Sequence, residues 1–186
     1  MPELQFPSPR LADETVLLRP WREADVSDGL MAFRDPVVQR FSWPKETAYT
    51  EEDARGYFAS QESGRLRGEE MQFALVEPQN EDQVLGGASI YKINLERGSA
   101  ALGYWLAPQA RGRGVTSCAV RLLAQWGFTK LGLARIELTC GPDNEASQRV
   151  ANRCGFVHEG VMRSDLPFKG LRRDTVIFSI LPGELR

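Results

Sequence analysis

Leu102-Gly103-Tyr104-Trp105-Leu106-Ala107-Pro108-Gln109-Ala110-Arg111-Gly112-Arg113-Gly114-Val115-Thr116-Ser117 is the stretch on which the reading of this chain turns. Its apolar run stops at Pro108, a short basic, glycine-rich turn follows, and apolar residues at helical spacing begin at Val115. That order predicts a strand, a loop and a helix N-terminus. Glycines at 112 and 114 let a backbone approach a ligand with no Cβ in the way. The first helical turn carries N–H groups with no partner inside the helix. Together with the positive end of the helix these favour an anion, above all a phosphate. Arg111 and Arg113 set two permanent cations beside them. The combination reads as a diphosphate cradle built from Arg111, Gly112, Arg113, Gly114, Val115, Thr116 and Ser117. A plain strand-to-helix turn with two solvated arginines would carry the same letters. Neither GxxxxGK[ST] nor GxGxxG occurs, which sets aside the P-loop and the dinucleotide fingerprint.

Outward from this stretch the elements alternate. Upstream, Met71 to Val76 and Val84 to Asn94 read as strands joined by a turn at 79–82, with Gly86-Gly87 as a candidate bulge. With the run ending at Leu106 they form an antiparallel meander. Residues 22–40 suggest one helix, or two broken at Asp35-Pro36. Phe41-Ser42-Trp43-Pro44 reads as a loop, and Thr50 as the N-cap of a helix running to about Arg65. Thr15 to Arg19 is a short strand closed by Pro20, and residues 1–13 form a loose Pro-rich arm. Downstream, Val115 to about Lys130 is a helix. Arg135 to Cys140 alternates as a strand reached through that helix, hence parallel to the one ending at Leu106. Asn144 to Arg153 is a short helix stopped by Gly155. Phe156 to Arg163 and Thr175 to Leu181 close the fold as an antiparallel pair, joined by a linker holding Pro167 and Gly170.

The expected fold class is α+β: a mixed, mostly antiparallel central sheet with one parallel crossover, flanked by helices, in a single domain over 14–183 after an arm over 1–13. A parallel step in such a sheet is where strands part, and ligands favour the carboxyl ends of strands at such points. The turns at 111 and at 142 should therefore flank one cleft.

At 186 residues and 20.8 kDa the chain is long enough for one real core. A net charge of −2 and a pI near 5.6 argue against a nucleic-acid partner held by phosphate neutralisation. No run approaches the roughly 18 apolar residues of a membrane span, and the N-terminus lacks a secretory pattern. A cytoplasmic protein with no membrane partner is the expectation. Nothing in the sequence reads out an oligomeric state. Cys118, Cys140 and Cys154, an odd set with no CxxC, read as reduced core thiols. His158, the one histidine, reads as structural or exposed, and no metal site is expected.

The segments in order resemble the Gcn5-related N-acetyltransferase (GNAT) family, and within it the branch that acetylates N-terminal amines of ribosomal proteins. Leu17-Leu18-Arg19-Pro20 is similar to the family's first strand and Gly103-Tyr104-Trp105-Leu106 to its fourth. Arg111-Gly112-Arg113-Gly114-Val115-Thr116 resembles its acetyl-CoA motif. Asn144-Glu145-Ala146-Ser147 with Cys154-Gly155-Phe156 resembles its N-x-x-S…G-F segment. Three positions depart from family patterns: Thr116 ends the motif, Ala151 stands where another branch has an acidic Tyr, and Leu166 aligns with a Glu.

The resemblance implies acetyl transfer from acetyl-CoA, the co-substrate, to a primary amine, first of all a peptide N-terminus. A non-catalytic acyl-CoA module and acetylation of a small amine such as an antibiotic or polyamine are the alternatives. It further implies that backbone N–H groups near Trp105 and Leu106 face the thioester carbonyl. Leu106 and Ala107 would pair with the pantetheine arm, with Asn144 bonding the same arm. Ser147 would protonate the leaving thiolate. A free α-amine, with a pKa near 7.8, needs only a weak base or a water. Glu137 is the first candidate to order that water, and Asp165 the second. Phe41, Trp43 and Tyr57 are candidate walls of the acceptor pocket.

Overall fold

In the computed structural model, which describes residues 3–186, the expected meander is present as β2 (Met71–Glu77), β3 (Asn80–Asn94) and β4 (Ser99–Leu106). Helix α4 (Val115–Lys130) carries the chain to β5 (Arg135–Cys140), which runs parallel to β4. Strand β1 (Leu17–Arg19) pairs with the free edge of β2. After α5 (Glu145–Cys154) the chain closes with β6 (Val157–Phe168) and β7 (Leu171–Ile180). The sheet order is β1-β2-β3-β4-β5-β7-β6, and every neighbouring pair except β4/β5 is antiparallel.

Period-two alternation divides the sheet between two layers. Phe73, Leu75, Ile90, Leu102, Ile136 and Leu138 meet Val115, Ala119, Leu123 and Ala151 of α4 and α5 in the main core. On the opposite face Trp105 and Val84 pack with Ala32, Phe33, Val38 and Ala54 from α1 (Val26–Ala32), α2 (Pro36–Ser42) and α3 (Glu51–Leu66). The break between α1 and α2 falls at Asp35-Pro36. Proline fits the first helical position, and the Asp35 carboxylate accepts the N–H groups of Val37 and Val38 at 3.0 and 3.1 Å. Thr50 and Asp53 form a reciprocal capping box on α3.

Four local expectations are corrected. Phe41 and Ser42 finish α2 rather than open a loop. The bulge lies at Leu85, just before the glycine pair, where β3 shifts register between Val84 and Gly86. Gly87 stays in the regular ladder; a Cβ there would lie 2.6 Å from the Trp105 indole nitrogen and 2.9 Å from Trp21. The linker at 164–174 is instead a continuation of the β6–β7 hairpin through Phe168↔Leu171, turned by Lys169 and Gly170 at φ 48° and 72°. Pro167 is tolerated because β6 is the sheet edge, where a missing N–H forfeits little. The arm is not loose over its described residues. Leu4 is buried, its N–H donates to Arg65 O at 3.1 Å, and Phe6 packs edge-on against Phe73.

The short β1 is fixed by charge rather than by length. Arg19, 1% exposed, forms a two-pronged pair with Asp25 at 2.7 and 2.8 Å and donates to the carbonyl of Glu81 in the β2–β3 hairpin. One carboxylate thus ties β1 to the segment entering α1. Removing one partner leaves a buried charge uncompensated, so Asp25→Ala should lower unfolding free energy by about 3–5 kcal/mol. Urea denaturation checks this; a transition midpoint matching the parent protein would contradict it.

Candidate active site

The pairing of β4 with β5 lasts four residues, from Ser99↔Arg135 to Leu102↔Leu138. Beyond that the strands part. Gly103 to Leu106 keep only β3, and Thr139 and Cys140 keep only β7. Two cavities open at the parting. One, of about 160 Å³, runs along α2 and α5 and is lined by Val38, Leu106, Arg111, Thr116, Ala146 and Val150 among others. The other, of about 440 Å³, extends toward the β6–β7 hairpin, past Phe33, Tyr57, Gln72, Leu166, Arg173 and Thr175. They share Phe41, Ser42, Tyr104, Trp105, Asn144 and Ser147. The sequence expectation of one cleft between the turns at 111 and 142 therefore holds, as a junction of two chambers.

Alternation decides which backbone groups face the gap. Ala107 N–H donates to Leu85 O at 2.9 Å. Counting back by two, Trp105 also turns its peptide groups toward β3, so Tyr104 and Leu106 turn theirs toward the gap. The expectation that the N–H of Trp105 and the pairing groups of Ala107 face the ligand is corrected on this ground: the Trp105 groups and the Ala107 N–H turn to β3, and the Ala107 carbonyl accepts the Ala110 N–H at 3.0 Å. Leu106 stays available, and its carbonyl receives an Arg111 nitrogen at 3.4 Å.

At the turn, Gly112 and Gly114 adopt φ values of 75° and 81°, in the left-handed region glycine favours. Gly114 is the N-cap of α4. Among the described residues, none of the backbone N–H groups from Gly112 to Ser117 has a hydrogen-bond partner. A Cβ at 112 or 114 would meet nothing within 4 Å, so the surface over the turn is open. Six consecutive donors at a helix N-terminus fit a diphosphate. The two arginines are not the free cations expected from sequence. Arg111 is bound by Asp35 and Arg113 by Glu77. The Arg111 hydrogen bond is the main cause that holds the Asp35 carboxyl below its ordinary range.

Asn144 caps α5, and its side-chain oxygen accepts the Ser147 N–H at 3.1 Å. Its amide N–H groups carry no hydrogen bond among the described residues and are left for a ligand. The Tyr104 hydroxyl lies 3.5 Å from the Ser147 carbonyl, and burial raises its pKa, so the phenol keeps its proton. The sequence reading quoted Tyr104 as part of a strand but missed it as a site group. Its phase beside Leu102 and Leu106 was the available signal.

The carboxylates divide differently from expectation. Glu137 is bound by Arg135 at 3.0 Å, two residues short of Thr139 on the strand, and lines neither chamber. That corrects its assignment as first base. Asp165 accepts a 2.6 Å hydrogen bond from Thr175, whose buried side chain lines the larger chamber. Phe41 and Tyr57 line that chamber as expected. Trp43 does not: it is buried against Phe33 and Tyr49, with its indole N–H donated to Thr47 O at 2.6 Å. Cys140 sits in the chamber wall with its pKa pushed up to about 11 by burial, which keeps it a thiol. Cys154 is fully buried, Cys118 is partly buried, and exposed His158, on the edge strand β6, lines neither chamber and packs edge-on to Phe178. Among the described residues no helix is long and apolar enough to cross a membrane.

Comparison with known proteins agrees with this fold. The N-acetyltransferase p20 of Bacillus licheniformis, itself uncharacterised, is 31% identical over 175 residues, 94% of this chain and 97% of that one. The ribosomal-protein-serine acetyltransferase of Escherichia coli strain K12 is 30% identical over 127 residues, 68% of this chain and 69% of that one. The crystallised RimL, a ribosomal L7/L12 alpha-N-protein acetyltransferase in complex with coenzyme A, superposes with a TM-score of 0.80 at 23% identity, covering 92% and 97% of the two chains, and so shares the fold. Residues 15–157 match the acetyltransferase (GNAT) domain, and the chain belongs to that family of N-acetyltransferases.

Proposed function

We propose that this enzyme moves an acetyl group from acetyl-CoA directly to the α-amine of a protein or peptide N-terminus. The observation that carries the reading is the junction of the two chambers at Tyr104, Asn144 and Ser147, beside the unpaired edge of β4. A narrow chamber fits an extended arm, and the wider one fits an acceptor approaching from the opposite side. Similarity to a ribosomal-protein-serine acetyltransferase over about two thirds of each chain supports a peptide acceptor.

Acetyl-CoA brings an activated thioester; the chain's own residues bind, orient and move protons. The N–H groups of Gly112, Arg113, Gly114, Val115, Thr116 and Ser117 hold the diphosphate. Arg111 adds charge already tethered by Asp35. Leu106 offers strand-like backbone pairing to the pantetheine arm, and the Asn144 amide donates to the same arm. The gap-facing N–H of Tyr104, further along the same edge than Leu106, stabilises charge developing on the carbonyl oxygen. Trp105 and Ala107 contribute shape alone. As the C–S bond breaks, Ser147 gives its hydroxyl proton to the departing thiolate and regains one from the nitrogen of the tetrahedral adduct, and the Tyr104 phenol is a second donor at the same place. On the acceptor side, Thr175 and Asp165 take the ammonium proton through a water. This replaces both Glu137 and the glutamate whose aligned position is Leu166.

Ser147→Ala should lower kcat by about two to four orders of magnitude, the usual worth of a positioned proton donor, while CoA affinity measured by calorimetry stays near that of the parent. A variant with parental kcat would remove Ser147 from the mechanism. With a peptide acceptor, kcat/KM should rise with pH and level off above about 7.8, because only the neutral α-amine attacks. A profile still climbing toward about pH 10.4 would instead mark a lysine acceptor.

A further inference from the structure

The acceptor chamber carries one charged side chain, Arg173, and no Asp, Glu, Lys or His among its lining residues. Arg173 lies on β7 opposite Leu166, the position where the resemblance expects a glutamate. Its guanidinium sits over the Phe168 ring at 4.5 Å and the Phe41 ring at 5.8 Å, with the side chain 17% exposed. Among the described residues it makes no hydrogen bond. The carboxylate facing it, Asp143, is 3.9 Å away, half exposed, and already bound by Arg40 at 2.7 Å.

The chamber is shaped to hold this cation. A Cβ at position 141 would fall 1.7 Å from an Arg173 nitrogen, so glycine there leaves the space that the guanidinium occupies at the end of β5. Gly141 directly follows Cys140 and precedes the Asn144 cap, placing the charge beside the junction where the amine must react. A poorly compensated guanidinium with free planar donors is a fork for a carboxylate or phosphate. Two aromatic faces hold it without neutralising it. A polycation in the same chamber meets a like charge at Arg173, and Asp165 reaches it only through Thr175.

Resting on the peptide reading above, we propose that Arg173 is a specificity-determining residue. It makes the enzyme select acceptor N-termini that carry an acidic side chain at the first or second residue, and reject basic ones and polyamines. The anion binds the guanidinium in two-pronged fashion while the α-amine points toward Ser147.

The test uses peptides identical except for Asp, Asn or Lys at residue 1, and a second set varied at residue 2. In one of the sets kcat/KM should favour Asp over Asn by about ten- to a hundredfold, the usual worth of a hydrogen bond to a charged group, with Lys lowest. A phosphoserine peptide in the same set separates a general anion fork from a carboxylate-specific one. Arg173→Gln should bring the Asp/Asn ratio to about one, Arg173→Lys should retain part of it, and Arg173→Glu should invert the Asp/Lys order. Equal kcat/KM for Asp and Asn peptides in both sets overturns the proposal, as does an Asp/Asn ratio that survives in Arg173→Gln. Should no peptide release thiol, the peptide-acceptor reading falls. Arg173 is then judged separately, by tryptophan fluorescence, from binding of N-acetyl-aspartate and N-acetyl-asparagine to the CoA-loaded protein. Tighter binding of the aspartate compound supports the anion fork, and equal or undetectable binding of both overturns it.

Discussion

Two parallel strands that hydrogen-bond for four residues and then separate leave a row of backbone groups without partners, and the rest of the site is arranged around them. Unpaired N–H and C=O groups inside a protein cost free energy unless a ligand or water meets them. In this chain β3 and β7 hold the outer sides of β4 and β5, so the gap between the two cannot close by sliding. The sheet's rigidity is what keeps the gap open. Helix α4, which makes β4 and β5 parallel, also delivers its own unpaired N-terminus to the mouth of the same gap. One connection thus supplies the strand parting and the anion cradle together.

The flanking charges act on the shape of the site more than on its net potential. Arg111 reaches across 76 residues of sequence to Asp35, which is also the cap of α2. This pins α2 over the narrow chamber, so that Val38 and Phe41 form a wall of it. Arg113 is likewise neutralised by Glu77. The formal charge of the turn is therefore largely spent within the protein, which leaves the proposed grip on a diphosphate to the backbone donors. Around Arg173 the balance is reversed: the aromatic rings of Phe41 and Phe168 fix it, and Asp143, shared with Arg40, offsets its charge only in part.

Much of this was legible in the sequence where local chemistry is decisive. Pro108, Gly112 and Gly114 punctuate the strand-loop-helix order, and the spacing from Val115 to Trp126 gives α4 its buried face. Asn144 and Gly155 mark both ends of α5. What was not legible depends on partners far away in the chain. The direction of the Trp105 and Ala107 N–H groups is set by register with β3, which no single strand encodes. Whether an aromatic walls a chamber or fills a core separates Phe41 from Trp43, two residues apart, and only the packing of Phe33 and Tyr49 settles it. Glu137 had the right phase but the wrong depth, and Arg135 beside it takes its charge. The distal part of the β6–β7 hairpin, residues 164–174, reads as a linker because Pro167 is a breaker in the interior of a sheet, yet it lies on the edge.

The central claim is that backbone donors from Gly112 to Ser117 and the open edge of β4 together aim a thioester at Ser147. A crystal structure of the protein grown with CoA tests it most directly. The account requires the diphosphate within hydrogen-bond distance of those N–H groups, the pantetheine arm alongside Leu106, and the sulfur at the junction beside Ser147 and Tyr104. Well-ordered CoA bound elsewhere on the molecule, or seated at the turn with its sulfur outside the parting of β4 and β5, would contradict it.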